Sequence, residues 1–356
     1  MSKTFQTQKR AGALLILLTA TVFAQPRGSF TAGPVTARAG EKTSGMIEIA
    51  ALNDEGTTIP ISVIHGAQPG PVLGLIAGNH GYEYAPIIAL QHLLAQLDAK
   101  QMAGTVIMVH VANMPSFLRR TIYYSPVDGK NLNRVYPGKI DGTISERIAY
   151  HITKEAIARA DYVLDLHCGD GNEALRPYSY WDVNTGGPAV VEQSKQLALA
   201  FGLDHIVMDR ERPSDPRASI YCSTTATTRG KPAITTESGA LGETDHESLA
   251  RTEWGVLNIM RHLKMLEGEA QMVAHPLFIE RSEVLRSTAT GIFYPLVERG
   301  HTVAQGTLLG YVTDFFGKRV YDLRATFSGE VLYILGTPPV SQGEPLAMIG
   351  QVGGRP

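Results

Sequence analysis

Cysteine is nearly missing: the 356 residues hold two, Cys168 and Cys222. That excludes a disulfide scaffold and a closed thiolate metal module, which need several cysteines at short spacing. One bridge between the two stays open, as does packing of each as a small buried side chain. Charge of one sign is also lacking. The formal net charge is -2 with no polybasic block, so the molecule as a whole has no attraction for nucleic acid or anionic lipid. No apolar run reaches the roughly 20 residues of a membrane span. What remains is ordinary globular composition, 44% hydrophobic and 19% charged, in a chain long enough for one large core and a small second one.

The first 24 residues differ from the rest. Lys3, Lys9 and Arg10 precede "AGALLILLTATVFA", which ends in Val22-Phe23-Ala24. A charged start, a short apolar stretch and small residues at its end are the marks of a cleavable signal peptide, with cleavage near Ala24. An uncleaved anchor is the alternative. The expected protein is exported, periplasmic or secreted, with no stable membrane insertion after cleavage.

Residues 25–45 are rich in Gly, Pro, Ser and Thr and read as an irregular lead-in. "MIEIAAL" and "TIPISVIHG" alternate in hydrophobicity around "NDEG" and predict a hairpin. From "PVLGLIAG" onward, apolar strands alternate with helical patterns at 84–98, 145–159, 188–201, near 215–229 and at 246–266. That rhythm predicts an α/β domain over 46–270, a mixed, mostly parallel sheet with helices on both faces. Ligands of such sheets gather beyond the carboxyl ends of the strands. Those ends carry His80, Asn113, His167 and Glu237. After residue 271 helical periodicity stops. "VAQGTLLGYV" and "VSQGEPLAMI" share Val, Gln-Gly and Leu at the same offsets. The repeat predicts a small C-terminal all-β domain over 271–356, a barrel or sandwich closed by a pseudo-twofold and similar to the biotinyl/lipoyl-like barrel. Without a lysine in an exposed hairpin of the carrier type, it is read as a non-carrier.

"IAGNHGYEYAP" (76–86) places His80 and Glu83 in a Gly-flanked loop directly after a strand. His-x-x-Glu alone is a common chance match. His167, closing the strand "DYVLDLH", supplies a third donor, although a core histidine is the plainer reading of that residue by itself. Two imidazoles and one carboxylate, with a fourth position left for water, form an open zinc site of the catalytic kind. Hydrolysis also needs a proton carrier. Glu237 in "PAITTESGALG" ends an apolar strand and fits that task; a helix-start acid is the alternative. In "SPVDGKNLNRVYPG" (125–138), Asn131, Asn133 and Arg134 cluster between rigid turns. A guanidinium beside amides suits two-pronged recognition of a carboxylate. Arg119 and Arg120 upstream offer a cation for a developing oxyanion. A surface loop with solvated arginines explains the charge of this segment, but not its density of turns and amides.

Together "GNHGYE", "DGKNLNRVYPG", "DLHCG" and "ITTESG" resemble, in order and context, the succinylglutamate desuccinylase/aspartoacylase family, a branch of the zinc carboxypeptidase-like superfamily. The resemblance covers roughly residues 46 to 350. It implies one zinc ion per chain on His80, Glu83 and His167, with Glu237 as general base and then acid. It implies Asn133 and Arg134 on the substrate carboxylate, and Arg120, or else Arg119, polarising the carbonyl. The longer spacing between these arginines and the Asn-Arg pair, together with the export signal, argues against copying the substrate of either named enzyme. The expectation is a zinc-dependent amidohydrolase acting on an N-acyl amino acid or a related small carboxylate-bearing substrate. An exported carboxypeptidase acting on cell-wall peptides, and a non-catalytic zinc- or ligand-binding protein, are the alternatives.

Overall fold

The computed structural model describes residues 1–2 and 27–353. The signal-peptide expectation for 1–24 therefore falls almost wholly outside the described residues. Among the described residues, no helix is long and apolar enough to cross a membrane.

The strands before the first helix are β1 (Phe30–Ala32), β2 (Val35–Ala37), β3 (Glu41–Ile49), β4 (Thr57–His65) and β5 (Gln68–Ala77). The chain continues with β6 (Ala103–Val109), β7 (Tyr162–His167), β8 (Glu173–Leu175), β9 (Tyr178–Asp182), β10 (His205–Asp209) and β11 (Ala233–Glu237). Its helices are α1 (Tyr84–Gln96), α2 (Met114–Arg119), α3 (Ile144–Glu155), α4 (Pro188–Phe201), α5 (Cys222–Thr227) and α6 (His246–His262). The C-terminal part holds β12 (Leu277–Arg286), β13 (Gly291–Pro295), β14 (Thr302–Val303), β15 (Leu308–Thr313), β16 (Arg319–Arg324), β17 (Gly329–Leu335), β18 (Pro339–Val340) and β19 (Pro345–Val352).

The main sheet runs β3-β4-β6-β5-β7-β11-β9-β10-β12-β19-β17-β14, with β8 beside β17. Five of its pairings are parallel and seven antiparallel, so "mostly parallel" is corrected to mixed. Crossover helices enforce parallel neighbours only where they occur. The β3–β4 hairpin has no crossover, and neither do the turn from β7 into β8 and β9 or the C-terminal meander. The lead-in is also more ordered than its composition implied: it forms β1, β2 and the start of β3, with Ala32, Val35 and Ala37 buried.

Helices cover both faces, as the alternation required. Along β5, Leu73, Leu75 and Ala77 pack with α1, α4 and α6, while Ile76 faces the layer of α3 and α5. Near-continuous burial of β5, β6 and β7 follows from this two-sided cover.

The C-terminal segment is all-β and consists of two facing sheets. β12, β17 and β19 extend the main sheet, while β16-β15-β13-β18 form a second, antiparallel sheet. Leu285, Phe293, Leu309, Val331, Leu346 and Ile349 fill the space between the two. The internal repeat is real in the pairing. β14 of the first unit bonds β17 of the second, and β18 of the second bonds β13 of the first. The matching Val303 and Val340 are both buried, as are Leu309 and Leu346.

Candidate active site

The loop after β5 has the shape its glycines demand. Gly78 sits at φ +72, where a side chain is strained, and turns the chain out of the sheet. At Gly81 a Cβ would overlap the backbone of Ser116 and Phe117 in the middle of α2. This close approach seats His80 and Glu83 on either side of a fixed point. Gly81→Ala is expected to cost about 2 kcal/mol or more of stability through overpacking, measured by urea denaturation against wild type.

Two elements bring the three donors together. His80 and Glu83 come from this loop, and His167 from the last position of β7. Their ligand atoms all lie within 4.8 Å of one another, and all three residues are buried. Glu83 Oε1 is 2.6 Å from His80 Nδ1, and its Oε2 is 2.7 Å from His167 Nδ1. The second contact is not aligned as a hydrogen bond, which leaves Oε2 buried without a hydrogen-bond partner. Burial opposes the Glu83 charge, but His167 and His80 hold its carboxyl down at about 2.

The far ring nitrogens are held from outside. His167 Nε2 lies 2.9 Å from Asp165 Oδ1, and His80 Nε2 lies 3.1 Å from Asn131 Oδ1. With both Nε2 atoms anchored, both Nδ1 atoms face Glu83. Outer partners of this kind fix ring orientation and tautomer at metal sites. The orphaned carboxylate oxygen and the converging Nδ1 atoms fit a divalent cation, so this triad could hold a metal ion.

Glu237 ends β11, which runs parallel to β7 with Glu237 in register with His167. Its Oε2 is buried without a hydrogen-bond partner. Burial, and then the Glu83 charge, push its carboxyl well above the usual range.

Asp165 was not foreseen. It is completely buried and accepts from Asn79 at 2.6 Å and Asn133 at 3.3 Å besides facing His167. A signal was present, because residues i and i+2 of a strand share a face, and Asp165 precedes His167 by two. The amide of Asn133, expected on the substrate, is occupied by the protein. Its Nδ2 reaches Asp165 and His167, and its Oδ1 accepts from Cys222 N at 2.8 Å. Asn131 Oδ1 likewise accepts from Asn133 N at 2.8 Å. Cys222 and Cys168 are both free thiols, fully buried.

The cavity above the triad measures about 590 Å³. Arg134 lines it. Arg119 and Arg120 do not. Arg119 pairs with Glu55 at 2.9 Å on the surface, and Arg120 borders a separate groove beside Tyr84 and Phe117. The reason is local: α2 ends at Arg120 in the left-handed conformation, φ +54, and Tyr123 repeats it at φ +55. Those turns bring Tyr123 and Tyr124 to the cavity in the arginines' place. The Tyr123 ring stands edge-on 5.8 Å from that of His80, and its hydroxyl donates to Glu173 at 2.9 Å. Its backbone N–H donates to Asp170, whose carboxyl is raised to about 7 by burial and the Glu83 charge.

Other cations do enter the cavity: Arg212 and Arg286, both unforeseen, and Lys130. Arg134 and Arg212 stack on the same Tyr221 ring, at 4.5 and 3.7 Å from its centre. Arg212 is held by Asp209 at 2.6 Å. Nothing in the apolar-polar pattern around Arg212 marks it, because its loop is brought to the cavity only by the β9–β10 pairing.

The catalytic-domain model described as succinylglutamate desuccinylase/aspartoacylase matches residues 69–263. The N-alpha-acetyl-L-2,4-diaminobutyric acid deacetylase of Halomonas elongata is 33% identical over 322 residues, spanning 86% of this chain and 91% of that protein. Among solved structures, a succinylglutamate desuccinylase from Silicibacter sp. superposes with a TM-score of 0.78 at 25% identity, covering 91% of this chain and all of that one. The product-bound ectoine utilization protein EutE (DoeB) from Ruegeria pomeroyi gives 0.78 at 26% identity, covering 93% and 98%. These relatives, taken with the site, support an amide-bond hydrolase. On this footing the chain belongs to the succinylglutamate desuccinylase/aspartoacylase family.

Proposed function

We infer that the protein is a zinc-dependent deacylase that hydrolyses the amide bond of an N-acyl amino acid or related carboxylate-bearing substrate. The observation that carries this reading is the junction of two things in one cavity. His80, Glu83 and His167 converge on a single point, and Glu237, half-buried with its Oε2 lacking a hydrogen-bond partner, ends the strand next to His167. Two imidazoles and a carboxylate suit zinc over harder divalent ions. The ion, when bound, supplies Lewis acidity that lowers the pKa of a coordinated water and polarises a carbonyl.

The chain's own groups do the rest. Glu237 takes the proton of the attacking water on its carboxylate and returns it to the nitrogen of the departing amine. Arg134 and Arg212, braced on Tyr221, orient the substrate through its carboxylate. Asp165 and Asn131 keep the two imidazoles turned toward Glu83. For polarising the carbonyl, Arg120 and Arg119 lack a path from their surface positions. Tyr123 stands beside His80, but its single hydroxyl proton is committed to Asn172 or Glu173. Export to the periplasm or beyond belongs to the same proposal and rests on the N-terminal pattern alone.

The test is metal analysis together with amine release from a panel of N-acyl amino acids. Wild type is expected to carry one equivalent of zinc and to turn over at least one panel member. His80→Ala is expected to retain less than a tenth of the metal and no measurable activity. Activity that survives complete chelation would sink the metal-dependent reading. Release of amino acids from peptides alone would favour the carboxypeptidase alternative.

A further inference from the structure

The cavity has a wall that the proposed reaction does not use. Val284 on β12, Met348 on β19 and Tyr333 on β17 stand in one row across three adjacent strands, Val284 paired with Met348 and Met348 with Tyr333. Residues directly opposite on neighbouring strands share a face, and all three line the cavity. Tyr178 and Tyr180 complete the wall from β9, their rings edge to face at 5.2 Å. Both hydroxyls reach the Met348 sulfur, at 3.9 and 3.6 Å. Tyr178 is paired in register with Glu237, so the wall begins beside the proton carrier. Val284 remains 40% exposed, a large apolar side chain left uncovered on the cavity side of the row.

The C-terminal strands thus put an apolar and aromatic surface opposite a charged floor. A volume of about 590 Å³ lies within the ~300–1,000 Å³ of sites for drug-sized ligands, well beyond the needs of an acetylated small amino acid. We propose that this wall is a subsite for a large apolar group, aliphatic or aromatic, carried by the substrate on one side of the scissile amide. The proposal rests on the hydrolase reading above and adds the substrate class. Tyr178, Tyr180, Tyr333 and Met348 hold the group through aromatic and thioether contacts, and Val284 is covered when it binds.

The test uses the metal-loaded full chain and two substrate series. One lengthens the acyl group on alanine from acetyl through hexanoyl to octanoyl. The other keeps acetyl and changes the amino acid from alanine to leucine to phenylalanine. In one series kcat/KM is expected to climb by roughly threefold to fourfold per methylene buried, and the climbing series tells whether the group belongs to the acyl or the amine side. Val284→Asp, at an exposed position that tolerates the change in folding, is expected to flatten that series. Two flat series with measurable turnover would overturn the subsite and leave the hydrolase reading standing. Absence of turnover throughout would overturn the hydrolase reading instead. Calorimetry then decides the subsite separately: octanoyl-alanine or acetyl-phenylalanine binding at least tenfold tighter than acetyl-alanine, lost in Val284→Asp, upholds it, and equal affinities of all three remove it.

Discussion

Glu237→Gln is expected to keep the fold and the metal while lowering kcat by about 10³-fold, within the 10²–10⁴ that a positioned acid–base group contributes. The substitution keeps size and shape, so β11 and its register with β7 have no reason to change. What disappears is a group able to take up and release a proton. Glu237 makes no hydrogen bond to His80, Glu83 or His167, and its Oε2 has no hydrogen-bond partner. Metal content is therefore expected to stay within a few per cent of wild type, read by elemental analysis alongside steady-state kinetics. A variant with wild-type kcat removes Glu237 from the mechanism. Loss of metal with loss of activity would instead make it a ligand, and would require a different geometry from the one seen.

The cluster of His80, Glu83 and His167 was legible because His167 ends a strand and His80 follows one closely, with Glu83 three residues on at the start of α1. An apolar run that stops at a Gly-flanked histidine, or at Asp-Leu-His, carries its own boundary, and the carboxyl ends of neighbouring strands meet in space. Several helices were equally legible: α4 and α6 begin where their periodicity begins. Arg119 and Arg120 show the limit. Their charge and their place before the Asn-rich loop said nothing of two left-handed residues, Arg120 and Tyr123, that rotate the arginines out and the tyrosines in. The sheet was expected to be mixed, but the extent of its antiparallel pairing was hidden for a related reason. Alternating strand and helix patterns imply crossovers, but β8 and β9 follow β7 with no helix between, and β9 lies antiparallel to β11. That the C-terminal strands also join the main sheet was beyond a repeat pattern, because only the free edges of that sheet decide it. Here β10 and β8 offered free edges to β12 and β17.

Asp165→Asn is expected to weaken metal affinity 10–100-fold, the usual effect of removing an outer partner of a metal-bound histidine. The carboxylate faces donors from several elements: Asn79 Nδ2 at 2.6 Å, Asn133 Nδ2 at 3.3 Å and His167 Nε2 at 2.9 Å. An asparagine has one accepting oxygen and one donating nitrogen, so one of these partners must face a donor. In a fully buried position such a mismatch costs about 1–3 kcal/mol, which a denaturation curve reads directly. The same change frees the His167 ring to turn or to move its proton to Nδ1, the nitrogen that faces Glu83. A positioning role and a catalytic role then separate cleanly. If Asp165 acts through His167, saturating zinc restores most of kcat, and the defect appears as a shifted metal titration. If the variant binds zinc as tightly as wild type yet turns over 10²-fold more slowly, Asp165 touches the reaction itself, and the division of labour assigned to this cavity is wrong.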